Sequence, residues 1–303
     1  MNSEISLSSM WSLNYENMSD FVRDASEFGF THLEFNIALT PEKLKGLLSI
    51  GDLQVSSVHA PCPNVETAEG LASTLSLSSF DEDVRKLAIE GVKRTIDLAV
   101  EVGAKVVVVH AGYADMNPEI EKDMRKLCEQ ERMDSQEFEE LKDVLVKARQ
   151  FMACPHVDLT KESLLELAGY ARSNGIRLGL ENRVNYHEIP NLYEMMDILE
   201  EFQPEVVGYW HDVGHAEIQS RIGFTPHEDW FAALGDRLIG VHLHDVRGLR
   251  DHCAPGTGDL NWDMIARNLP ENIIRVCEIG EWNDPQAARN AVAFLQSKGI
   301  VCW

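Results

Sequence analysis

Ionisable side chains recur in this chain at one kind of place, the end of a short β-rich run. His59 follows Val55-Ser-Ser-Val, His110 follows Val106-Val-Val-Val, and Glu181 ends the run Arg177-Leu-Gly-Leu-Glu. Asp212 follows Gly208-Tyr-Trp-His, His242 and His244 lie in Val241-His-Leu-His-Asp245, Glu278 closes Val276-Cys-Glu, and Glu34 sits on an earlier run. Side chains along a strand alternate between its two faces. With Leu178, Leu180, Val241 and Leu243 on one face, Gly179, Glu181, His242 and His244 fall on the other. The same parity turns Trp210 and Glu278 that way. Carboxylates gathered on one face repel one another unless protons or a cation offset them. A divalent metal held by two glutamates, an aspartate and a histidine would do so. Mixed oxygen and nitrogen ligation suits Mn2+, Mg2+, Co2+ or Zn2+.

The elements that must position these groups are eight β-rich runs: Ile5–Ser9, His32–Ile37, Gln54–His59, Lys105–His110, Arg177–Glu181, Val206–Asp212, Leu238–His244 and Arg275–Gly280. Amphipathic segments lie near 17–28, 41–49, 82–102, 160–174, 190–202, 228–235, 261–268 and 284–297. Gly103, Gly175 and Gly299 stand where helices end, and Asp81 and Thr160 stand where helices begin. Strict alternation of eight strands with helices predicts the α/β class and one (β/α)8 TIM barrel over residues 1–303. No G-x-G-x-x-G follows the first run, which argues against a dinucleotide-binding sheet. In such barrels the chemistry is built at the C-terminal strand ends. Residues 114–155 exceed what a loop after the fourth strand needs. They read as an inserted helical segment, charged from Gln136 to Gln150. A solvated decoration is the expectation, with a lid or a subunit contact as the alternative.

The chain of 303 residues carries 27 basic and 50 acidic side chains, a net charge of −23. With no basic run to gather positive charge, a nucleic-acid partner is disfavoured. The most apolar run, Val106 to Val109, is far too short to span a membrane. Met1-Asn2-Ser3-Glu4 lacks the pattern of a secretory leader. Six cysteines without a C-x-x-C spacing suggest free thiols and a cytoplasmic protein.

Six motifs in barrel order carry a resemblance: Val58-His-Ala-Pro61, Val109-His-Ala-Gly112, Leu180-Glu-Asn182, His211-Asp-Val-Gly-His-Ala216, His242-Leu-His-Asp245 and Val276-Cys-Glu278. Together with the turn His252-Cys-Ala-Pro-Gly-Thr-Gly258, they resemble the xylose-isomerase-like barrel superfamily of sugar isomerases and epimerases and of AP endonucleases. The resemblance covers the chain apart from 114–155. It implies Glu181, Asp212, His242 and Glu278 as metal ligands, with Glu181 and Glu278 also as the acid and base. His59, His110 and His215 match positions that ligate further metals in the endonuclease branch. In the sugar branch such positions bind substrate, a role also assigned here to His252, Arg183 and Arg247. The sequence departs from many relatives at Arg250, where they carry an aspartate two residues before the histidine; here Asp251 is shifted by one.

Ordinary structural roles stand beside these. Glu181 and Glu278 could form ion pairs, Asp212 could cap a helix, and the histidines could be packed. Arg183 and Arg247 could pair with the excess acid. Cys62 and Cys253 could be plain small residues, and Trp210 and Trp282 packing groups. The implied activity is metal-dependent isomerisation or epimerisation of a sugar or keto-polyol, by proton transfer through an enediolate, with Mn2+ placed first. Alternatives are a dehydratase or lyase on a keto-polyol, an endonuclease-IV-like phosphodiesterase, and a non-catalytic barrel subunit. The expected partner is a small sugar or polyol, and self-association is left open.

Overall fold

A computed structural model of the chain describes residues 4–302; of the segment Met1-Asn2-Ser3-Glu4, read as lacking a secretory leader, all but Glu4 lies outside them, as does Trp303. Eight strands form the barrel: β1 (Ser6–Ser8), β2 (His32–Phe35), β3 (Val55–His59), β4 (Val106–Val109), β5 (Arg177–Glu181), β6 (Val207–Asp212), β7 (Leu238–Leu243) and β8 (Ile274–Cys277). Each pairs in parallel with its neighbours, and Ser6 on β1 lies opposite both Val276 on β8 and His32 on β2, which closes the ring. All eight expected runs contain strands: the fifth matches in full, six are trimmed by a residue or two at their ends, and the eighth begins one residue earlier and stops at Cys277, so that Glu278 follows the strand.

Strand parity divides the apolar residues into two clusters. Leu33, Val107, Leu178, Leu180, Val241 and Leu243 belong to the large core, which also takes in the helices. Val106, Val108, Trp210, Ile239 and Val276 form a small separate cluster, the filling of the lumen. Register carries the same parity upward: Trp210 lies opposite Glu181 and Gly240, and Asp212 opposite His242. The lumen is therefore largely apolar in its lower layers, with Ser6 and Ser57 among the valines, and ionisable at the C-terminal strand ends. Gly240 makes this layering possible, because a Cβ there would overlap the Trp210 indole.

Helices surround the barrel: α1 (Met18–Glu27), α2 (Pro41–Leu48), α3 (Glu82–Val102), α4 (Pro118–Glu129), α5 (Gln136–Ser173), α6 (Leu192–Glu200), α7 (Val213–Arg221), α8 (His227–Leu234), α9 (Trp262–Asn268) and α10 (Pro285–Ser297). Asp81 caps α3 by accepting from the amides of Asp83 and Val84. Gly103, Gly175 and Gly299 adopt the left-handed conformation after their helices, at φ of 76°, 70° and 71°.

Three expectations change. The helix expected at 160–174 is the C-terminal part of α5, which runs 38 residues through Pro155. Thr160 is not an N-cap; its hydroxyl donates to the His156 carbonyl one turn back. Nor is the 136–150 stretch merely a solvated decoration. Phe138, Leu145 and Arg149 are buried against the barrel, and Arg149 donates to Glu194 and to the carbonyls of Tyr186 and Glu188. A continuous inner stripe, from Phe138 through Val157 to Ala171, outweighs the one hydrogen bond that Pro155 removes. Finally, α7 follows β6 directly, in a segment without an amphipathic pattern, since it is enclosed on most sides.

Gly240→Ala is expected to lower stability by about 2–3 kcal/mol through overpacking against Trp210. In urea unfolding, combining it with Trp210→Phe should cost less than the sum of the two single changes.

Candidate metal centre

Parity brings His242 to the centre of the strand-end layer. Its Nδ1 lies 2.8 Å from Glu181 Oε1, 3.3 Å from Glu278 Oε2 and 3.7 Å from Asp212 Oδ2. Its Nε2 lies 3.0 Å from Glu34 Oε1, and the other oxygen of Glu34 accepts from the Ser57 hydroxyl at 2.6 Å. A proton held at Nε2 by Glu34 leaves the Nδ1 lone pair facing three carboxylates, the usual arrangement behind a ligating histidine. The ring rests edge-on against Trp210, with centroids 5.2 Å apart. The ligating atoms of Glu181, Asp212, His242 and Glu278 all lie within 4.8 Å of one another, and all four residues are buried.

Asp212 is held from several directions. It ends β6 and caps α7, its Oδ1 accepting from the His215 amide at 2.7 Å. Asn182 clamps its backbone: Oδ1 accepts from the Asp212 amide at 2.8 Å, and Nδ2 donates to the Asp212 carbonyl at 3.0 Å. His244 accepts from the His252 amide at Nδ1, so its Nε2 carries the proton and donates to the Asp212 carboxylate at 3.0 Å. A Cβ at Gly214 would overlap the His244 ring, so this approach depends on that glycine.

The donor set fits a divalent cation. Three carboxylates and one imidazole converge where water is excluded, and such charge is costly to bury without a counter-charge. In the protein alone that counter-charge is centred on the proton of His242. Burial, which by itself would raise a carboxyl group, is overcome by His242 and His110 at Glu181, by His215 and His244 at Asp212, and by His242 and His252 at Glu278; all three are held below the ordinary range. Conversely, burial of His242 is overcome by Glu278, Glu34 and Glu181, which hold it well above its ordinary value.

Two further groups share ligands with the first. His59 Nε2 and His110 Nε2 approach Glu181 Oε2 at 3.1 and 2.5 Å, so the two oxygens of Glu181 are divided between neighbouring groups. Asp212, His215 and His252 form the other group. Asp251 also reaches it: Oδ1 lies 3.1 Å from His252 Nδ1 and Oδ2 lies 3.9 Å from His215 Nε2. The one-residue shift at Arg250 therefore does not remove a carboxylate from this place. His252 adopts a left-handed φ of 52°, and Arg250 stacks over Trp282, 3.4 Å from the ring centroid.

The remaining expected residues divide. Arg183 is drawn in, touching His110 and paired with Glu188. Arg247 stays exposed on a hairpin, donating to the Thr257 carbonyl. Cys62 and Cys253 are buried free thiols outside the three metal-compatible groups present among the described residues. Glu34, Asn182, His244 and Asp251 had no assigned role in the sequence. Glu34 was legible as an inward strand-end carboxylate, and Asn182 as the neighbour of Glu181, but their partners come from other strands.

Residues 22–298 match the family described as the xylose isomerase-like TIM barrel. The chain is similar to the uncharacterized protein MJ1311 of Methanocaldococcus jannaschii, 27% identical over 240 residues, which are 77% of this chain and 67% of that protein. Among solved structures, a D-tagatose 3-epimerase-like protein superposes with a TM-score of 0.69 at 21% identity, covering 98% of this chain and 97% of that one. An L-ribulose 3-epimerase gives 0.66 at 18% identity, covering 98% and 94%. The IOLI protein with a bound zinc atom gives 0.62 at 14% identity, covering 98% and 96%. Likeness at these identities shows the fold.

A protonated His242 offers no lone pair to a metal, so Mn2+ or Zn2+ must displace its proton. Calorimetric titration at pH 7 in buffers of different ionisation enthalpy is expected to show about one proton released per metal bound. Affinity should fall as the pH is lowered; binding that is independent of pH would contradict this arrangement.

Proposed function

The chain belongs to the xylose isomerase-like TIM barrel family, and from that premise we propose that it is a divalent-metal-dependent isomerase or epimerase of a sugar or keto-polyol. The observation that carries this reading is the convergence of Glu181, Asp212, His242 and Glu278 in a buried layer at the strand ends. It is supported by the epimerase names of two structures with the same fold.

Glu181, Asp212, His242 and Glu278 would hold a divalent cation, Mn2+ first and Mg2+, Co2+ or Zn2+ with the same donors, which would supply Lewis-acid polarisation of a carbonyl and so favour proton transfer through an enediolate. The chain's own residues supply the proton traffic. Glu181 ends β5 and Glu278 directly follows β8, and both face His242 Nδ1, so a substrate between them meets a carboxylate on either side. One takes the proton from the carbon beside the carbonyl. The other delivers a proton to the opposite face of that carbon in an epimerisation, or to the neighbouring carbon in an isomerisation. His59, His110, His215 and His252 line the same layer and offer ring nitrogens to substrate hydroxyls. Glu34, Asn182 and His244 keep His242 and Asp212 oriented. The free thiols of Cys62, Cys128, Cys154, Cys253 and Cys277 accord with a cytoplasmic setting.

Phosphodiester hydrolysis is a second reading, favoured by the three overlapping ligand groups. It requires three metals per chain and cleavage of abasic DNA, and the charge of −23 opposes a DNA partner.

Ketoses and inosose-like ketones incubated with the Mn2+-loaded protein in D2O are expected to take up deuterium beside the carbonyl and to yield an isomer or epimer. Glu181→Gln and Glu278→Gln should each lower the rate by roughly 10²–10⁴-fold while leaving the fold intact by circular dichroism. A dehydrated product would move the assignment to a lyase, and a fully active double variant would remove the roles given to these glutamates.

A further inference from the structure

The triad of His59, His110 and Glu181 has the composition of a second metal site, and Arg183 already brings a positive charge to it. His59 Nδ1 donates to the Ala60 carbonyl at 3.0 Å, which directs Nε2 toward Glu181 Oε2. His110 Nε2 faces the same oxygen. Arg183 follows Glu181 by two residues, and its Nη1 contacts His110 Nε2 directly and lies 3.7 Å from Glu181 Oε2. The guanidinium is fixed from behind. Its Nη2 and Nε donate to Glu188 Oε1 at 2.7 and 3.2 Å, while Glu188 Oε2 accepts from the backbone and side-chain amides of Asn185 at 2.8 and 2.9 Å. Arg183 and Glu188 are 12% and 15% exposed, so water screens the charge poorly.

We infer that Arg183 is a specificity-determining residue for metal content: its guanidinium occupies the His59–His110–Glu181 triad and keeps a second divalent ion out. This rests on the Glu181–Asp212–His242–Glu278 group holding a metal. An arginine does not lose its charge in a protein, so the exclusion is permanent. A divalent ion ligated by His110 Nε2 would have to displace the guanidinium from the same lone pair and would be repelled by it. Charge excludes the ion and Glu188 holds the charge in place, so removing both residues leaves a neutral gap beside three free ligands.

The test compares wild type, Arg183→Met, Arg183→Lys and Arg183→Met/Glu188→Gln after equilibration with Mn2+ and desalting. The double variant leaves no unpaired buried carboxylate and guards against misfolding of the single one; circular dichroism checks both. Elemental analysis is expected to show one more Mn2+ per chain in the methionine variants than in wild type or Arg183→Lys. Electron paramagnetic resonance should show a coupled Mn2+ pair in those variants alone, and His110→Ala added to the double variant should abolish the gain. A coupled pair already present in wild type, or no gain in the folded double variant, would overturn the role of Arg183 and leave the first metal site standing. A wild type that binds no Mn2+ would overturn the metal-dependent function and this inference with it.

Discussion

Four carboxylates, those of Glu34, Glu181, Asp212 and Glu278, are at most 5% exposed at one end of the barrel. Two unit charges 4 Å apart in such surroundings repel by about 4 kcal/mol. Several such repulsions together rival the whole stability of a domain. The neighbouring chemistry answers that constraint. Histidines stand between the carboxylates, arginine and asparagine approach from the loops, and the central opening has the donors of a divalent cation. The fold tolerates this layer because the repulsion is local. Below it the lumen is filled by Trp210, Ile239 and valines, and outside it the strand faces are aliphatic.

The strand-end layer was legible because period-two alternation is short-ranged and strict. Once Val241 and Leu243 face the helices, His242 has one direction left. The long helix was less legible. Thr160 and Pro155 carry local signals of a helix start and a helix break, and burial along Phe138, Leu145 and Val157 overrides both. Helix α7 escaped for the opposite reason: Val213, Ala216 and Ile218 are buried on several sides, so no polar face marks it. Asp251 had no role assigned because it reaches His252 and His215 from beside a left-handed turn, at φ of 52° for His252, which no apolar pattern encodes.

The residues behind the ligands explain why neighbours in sequence differ in use. His242 and His244 share a face, two residues apart. Glu34 meets His242 from across the barrel and turns Nδ1 to the centre. The His252 amide meets His244 and turns its proton toward Asp212. Hydrogen-bond polarity thus separates a ring that can ligate from a ring that positions a ligand.

Asp212 has one further consequence. It closes the first turn of α7, so the helix requires an acceptor there whether or not an ion is present. The carboxylate is therefore set in place during folding, and the unloaded site has little freedom to collapse or reorganise. Loading such a site spends almost no ordering entropy, so affinity reflects the donors themselves. A site of this kind behaves as a rigid chelator assembled in advance.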